Sequence, residues 1–135
     1  MKRSCMKSPR LLLVAVAAST TLTVALSTPA HGQDPAVVNA KTIRVTLEND
    51  RVRVLEAVLQ PGDKEQLHNH PAYVFYVLEG GTMRNHLPDG KTSDSKLEAG
   101  QVFFREPLTH WAENIGTTTV RVVLVELKGG QPGGE

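Results

Sequence analysis

From residue 41 to residue 128 the chain keeps returning to one texture. β-branched and aromatic residues come in short runs, and each run stops at Gly, Pro, Asn or Asp. Such runs suit a pleated, half-buried surface, and the residues between them supply the turns. The runs fall at 42–47, 51–60, 65–70, 73–79, 82–87, 92–97, 101–104, 110–115 and 118–127. Pro61-Gly62-Asp63 and Pro88-Asp89-Gly90 are the strongest turn signals among the breaks. No amphipathic helix interrupts the pattern. Nine short strands spaced about ten residues apart predict an all-β sandwich or small barrel. With 1 Trp, 3 Phe and 2 Tyr in the whole chain, the core must rest on Val, Leu and Ile.

The first 32 residues have a different character. Lys2, Arg3, Lys7 and Arg10 form a positive region, and residues 11–26 form an apolar run broken only by Ser and Thr. Pro29 then breaks any helix, and Ala30-His31-Gly32 places small residues where a cleavage site needs them. This is the order of a secretory signal peptide, with cleavage after Gly32. The apolar run is short beside the roughly 20 residues of a membrane span. The expectation is therefore an exported protein, periplasmic or secreted, with no stable membrane span after cleavage. An uncleaved anchor is the alternative. The single cysteine, Cys5, precedes the apolar run instead of ending it, which argues against a lipoprotein.

Residues 33–40 read as a flexible lead-in, 41–128 as the β-domain and 129–135 as a disordered Gly/Pro-rich tail. Removing residues 1–32 takes away four of the 15 Lys and Arg and none of the 14 Asp and Glu, leaving a net charge of −3. A slightly acidic domain without a basic face excludes nucleic acid as partner. Without cysteine it also excludes disulfides, thiol nucleophiles and thiolate metal sites. The long Val-rich run that ends in Val120–Leu127 serves either as a homodimer interface or as core.

Candidate chemistry lies in two windows. His68 and His70 are two apart on one strand, so their imidazoles leave the same face and suit a metal about 2.0–2.1 Å from each nitrogen. The plain alternative is two surface histidines. The second window begins at Ala99-Gly100 and carries His110, Trp111 and Asn114.

Together the windows resemble the two motifs of the cupin superfamily. The first motif reads Gly, five residues, His-x-His, three or four residues, Glu, six residues, Gly; Gly62, His68, His70 and Gly81 stand at those places. The second reads Gly, five residues, Pro-x-Gly, two residues, His, three residues, Asn; Gly100, His110 and Asn114 match it, one residue short before His110. The resemblance spans about residues 41–127. It implies a double-stranded β-helix, or jelly-roll barrel, of the RmlC-like kind, with a divalent metal in its mouth held by His68, His70 and His110. At the glutamate position the chain has Val74 or Phe75, neither of which is a ligand. Some cupin dioxygenases similar to this pattern use three histidines and iron(II). Iron(II) is thus the expected metal, with Zn, Mn, Ni or Cu also suited to nitrogen ligands.

Counting by two from His70 places Val74, Tyr76 and Leu78 on the barrel's inner face, and counting from His110 adds Ala112 and Asn114. Phe103 is expected to face inward as well. Tyr76 then becomes the candidate catalytic group, able to transfer a proton near the metal, with a plain core role as its alternative. Gln66 shares the face of His68 and is better placed than Glu65 as an oxygen ligand. Trp111, His86 and Glu113 are expected to point away from the site. Two functions compete: a metal-dependent dioxygenase acting on a small oxygenated organic substrate, and a non-catalytic module that binds a metal or small-molecule ligand. A barrel in which the histidines merely fill the mouth is a third.

Overall fold

Antiparallel pairing of the nine runs builds two sheets. The computed structural model describes residues 33–129. Its strands are β1 (Ile43–Glu48), β2 (Val52–Leu59), β3 (His68–His70), β4 (Tyr73–Glu79), β5 (Gly81–His86), β6 (Thr92–Leu97), β7 (Val102–Arg105), β8 (Leu108–Asn114) and β9 (Val120–Leu127). The five-stranded sheet runs β1-β2-β9-β4-β7 and the four-stranded sheet β3-β8-β5-β6. All pairs are antiparallel. This is the double-stranded β-helix expected of the sequence. The leader assigned to residues 1–32 and the tail beyond Gly129 lie outside the described residues. Among the described residues no helix is long and apolar enough to cross a membrane.

The core fills the space between the sheets. Leu55, Ala57 and Leu59 of β2 alternate inward, as do Val120, Val122 and Leu124 of β9, with Tyr73 and Val77 of β4 beside them. Met83 and Ala112 close the cluster from the four-stranded sheet. Burying a Val- or Leu-sized side chain contributes about 1.5–3 kcal/mol, and this continuous wall replaces the disulfides the domain cannot form. β9 sits between β2 and β4 at the centre of its sheet, which makes its inner face core.

Two glycines that opened the motifs are required by the backbone. Gly62 and Gly100 have φ of 87° and 89°, a left-handed conformation that side chains with a Cβ rarely adopt. Gly62 turns the chain between β2 and β3, and Gly100 between β6 and β7.

The lead-in differs from expectation. It carries a short helix, α1 (Pro35–Val38), capped by Asp34, whose Oδ1 accepts from the backbone N–H of Ala36 at 2.9 Å and Val37 at 3.3 Å. Asn39 is buried behind it. Its Oδ1 accepts from Gln66 N at 2.6 Å, and Gln33 O accepts from Asn69 N at 3.2 Å. An Asp-Pro helix start and these bonds to the β3 edge hold a segment whose polar composition reads as mobile.

Candidate metal centre

β3 and β8 pair so that His68 lies directly opposite His110. His70, two residues on, points to the same side. The three rings converge, with centroids 4.7 Å apart for His68 and His70, 4.8 Å for His68 and His110, and 5.5 Å for His70 and His110. One ligand nitrogen from each lies within 4.8 Å of the others. All three residues are buried.

The partners of the rings decide where the protons sit. His70 Nδ1 is 2.6 Å from Glu126 Oε1, His110 Nδ1 is 3.1 Å from Asn85 Oδ1, and His68 Nδ1 is 2.8 Å from the Gln66 carbonyl. Each of these oxygens only accepts, so each Nδ1 carries a proton, and in a neutral ring the lone pair is then on Nε2. Asn39 Nδ2 also lies 3.0 Å from His68 Nδ1, but it donates to the same Gln66 carbonyl at 3.3 Å. The Nε2 atoms of His68 and His70 face each other at 2.9 Å. That separation is close to that of two nitrogens each about 2.1 Å from one ion at a right angle. His110 Nε2 is buried with no hydrogen-bond partner among the described residues.

Burial keeps His68 and His110 neutral. Burial pushes His68 down to about 4, with the neighbouring His70 adding to the shift. Burial and then the neighbouring imidazoles push His110 down to about 3. Metal ligation needs unprotonated nitrogens, and outer partners that fix the tautomer, as Glu126 and Asn85 do here, are the usual support of such ligands. Three nitrogen donors with converging lone pairs, one of them unpaired and buried, fit a divalent metal.

Glu126 escaped the sequence reading. It is buried on β9, 56 residues from the histidine it supports, and its Oε2 lies 3.7 Å from Arg53, which in turn pairs with Asp34 at 2.8 Å. Only the β4–β9 pairing, Tyr73 opposite Glu126, brings it to the site.

Tyr76 does not reach the site. It lies on the outer face of the five-stranded sheet, 44% exposed, and Val74 and Leu78 share that face. Tyr73, Phe75 and Val77 point inward instead, and Tyr73 and Phe75 line the cavity beside the histidines. The count by two fails because Pro71-Ala72 carries the chain from one sheet to the other, and alternation holds only along one continuous strand. Phe75 therefore occupies the interior place that the cupin pattern gives to glutamate. Burial raises the Tyr73 hydroxyl to about 12.

Gln66 is likewise exposed, and Glu65 faces the cavity in its place. Lys64 bridges to Glu113 while His68 pairs with His110. Five residues on one strand (64–68) thus match four on the other (110–113), which is a β-bulge. The extra residue reverses the parity upstream of His68. Glu65 Oε2 lies 3.9 Å from His68 Nε2 and accepts from Ala112 N at 3.2 Å. Burial raises its carboxyl to about 7 against that bond.

Ala112 and Asn114 do face inward. Asn114 is a clamp rather than a ligand: its Nδ2 donates to Leu59 O at 2.9 Å and Thr118 O at 2.8 Å. Phe103 stacks on Phe75 at 4.8 Å. His86 and Trp111 stack on the far side of the four-stranded sheet at 3.5 Å, where Glu113 pairs with Lys64 at 3.0 Å. The cavity itself measures about 110 Å³, small beside the roughly 300–1,000 Å³ of pockets for drug-sized ligands. Its walls beyond the histidines are mainly Leu59, Met83, Val122 and Leu124.

No protein-family model matches the sequence, and no curated protein does. In structure the chain is similar to a cupin domain from Bordetella pertussis Tohama I, with 29% identity and a TM-score of 0.59 over 64% of this chain and 92% of that one. It is also similar to a protein with a double-stranded β-helix domain from Klebsiella pneumoniae subsp. pneumoniae MGH 78578, with 27% identity, a TM-score of 0.52, and coverage of 64% and 75%. An RmlC-like cupin family protein from Methanocaldococcus jannaschii shares the fold at 16% identity and a TM-score of 0.52, with coverage of 63% and 77%.

Proposed function

This chain belongs to the cupin superfamily, and from that premise we propose that it is an exported metal-dependent dioxygenase acting on a small oxygenated organic substrate, with His68, His70 and His110 holding iron(II). The observation that carries this reading is the buried, unpartnered Nε2 of His110, aimed at the same space as two other imidazole lone pairs. Iron bound there would supply open positions at which dioxygen and a substrate oxygen meet. The chain's own residues do the remaining work. Glu126 and Asn85 orient the rings. The apolar wall excludes water and limits the substrate to a few heavy atoms. Tyr73, kept protonated by burial, takes the place intended for Tyr76 as a hydroxyl that can donate to a substrate oxygen.

A second reading, a non-catalytic metal or small-ligand module, is favoured by the outward position of Tyr76. Protein purified without a histidine tag and supplied in turn with iron, zinc, manganese, nickel and copper decides the matter. About one equivalent of bound metal with oxygen uptake on small hydroxy, keto or diketo compounds supports the enzyme. Bound metal without oxygen uptake supports the module. Less than about a tenth of an equivalent of any metal removes both. Export is supported by the leader alone; the mass of the form released from cells should begin at Gln33.

The outer face of the five-stranded sheet supports a homodimer. Leu47, Val54, Val125, Val74 and Phe104 are cross-strand neighbours and form one apolar row across the whole sheet. Tyr76 and Val102 extend it, and Phe104 is 52% exposed. At its corner Glu56 pairs with both Arg44 and Arg121, and Arg121 lies 3.8 Å from Glu79, so the two cations and two acids of this group cancel.

A further inference from the structure

Four observations bear on Glu65, which rests on the metal reading above but goes beyond its three nitrogen ligands. First, the bulge at residues 66 and 67 turns Glu65 onto the cavity wall, where it is 9% exposed. Second, its Oε2 is 3.9 Å from His68 Nε2. Two ligands about 2.1 Å from one ion are at most about 4.2 Å apart, so both atoms can reach the same metal. Third, among the described residues no Lys or Arg pairs with it; its one hydrogen bond comes from Ala112 N at 3.2 Å. A buried carboxylate with a single neutral donor costs free energy unless a cation joins it. Fourth, no other carboxylate competes among the described residues. Phe75 fills the family's glutamate position, and Glu126 is committed to His70 and Arg53.

We propose that Glu65 is the fourth ligand of the metal, a carboxylate that reaches the ion from three residues upstream of the His-x-His pair. It offsets one of the two positive charges that three neutral imidazoles leave uncompensated. The ligand set becomes three nitrogens and one oxygen, assembled from a different place in the chain than the pattern assigns.

Cobalt(II) tests this without any reaction. Chain purified without a tag and stripped of metal is titrated with cobalt, and both affinity and visible d–d absorption are read for the unaltered protein, Glu65→Gln, Glu65→Asp and His110→Ala. Glu65→Gln should weaken cobalt binding by about ten- to a hundredfold and change the position and intensity of the bands. Glu65→Asp should recover part of both. Affinity within about twofold of the unaltered protein with unchanged bands overturns the role of Glu65 while leaving the histidine site intact. Failure of the unaltered chain to bind cobalt overturns the metal site and Glu65 with it. Should Glu65→Gln fail to fold by circular dichroism, Glu65→Asp carries the test: shifted bands support the ligand, unshifted bands refute it.

Discussion

The five-stranded sheet turns Leu55, Val77, Val122 and Leu124 toward the interior and an apolar row from Leu47 to Phe104 toward the outside. The four-stranded sheet differs on both faces. Its interior side bears His68, His110 and the His70 ring, and its exterior bears Arg84 paired with Asp94 at 2.7 Å and Lys64 paired with Glu113 at 3.0 Å. A sheet solvated on one side normally alternates apolar in and polar out. The five-stranded sheet departs from this on its outer face, where the apolar row stands; the four-stranded sheet departs on its inner face, where the histidines stand beside the core residues Met83 and Ala112. His70 and Glu126, 2.6 Å apart, join the two.

The largest effects should fall on the polar interior. His110→Ala should weaken metal binding by more than about a hundredfold, since losing an outer partner alone can cost that much. His86→Ala, on the opposite face of the same sheet, should leave it unchanged; equal losses would erase the distinction between the faces. On the apolar wall, Leu55→Ala should lower unfolding free energy in urea by about 2–5 kcal/mol, and a loss under about 1 kcal/mol would mean that the wall is not close-packed. Glu126→Gln tests the link between the sheets. It keeps an oxygen for His70 but removes the charge, and metal affinity should drop about tenfold. No drop would make the site the property of one sheet alone. Phe104→Lys, on the outer apolar row, should convert a dimer to a monomer in sedimentation velocity while changing stability by no more than about 0.5 kcal/mol. A dimer that survives the lysine places its interface elsewhere.

The strands were legible because period-two alternation and turn residues act locally. All nine appear within a few residues of their expected limits. His68, His70 and His110 were legible for the same reason, each on a short regular stretch. What failed depended on parity. Tyr76 was assigned inward by counting through Pro71-Ala72, where the chain changes sheets. Gln66 was preferred to Glu65 by counting through residues 66 and 67, where one residue is extra. Glu126 continues the inward parity of Val120, Val122 and Leu124 on β9, but its meeting with His70 depends on long-range pairing that no local pattern marks. Asn39 was read as lead-in because nothing local marks a side chain that docks against a distant strand edge.

The bulge beside β3 also determines how such sites can be recognised and rebuilt. In a flat ladder a carboxylate sharing the face of His-x-His would stand two residues before it; here it stands three before, as Glu-x-x-His-x-His. A sequence pattern that demands the acid downstream passes over this arrangement. A designer transplanting the four side chains into another barrel would need to carry the supernumerary residue with them, since without it the glutamate and the histidines cannot look into the same space.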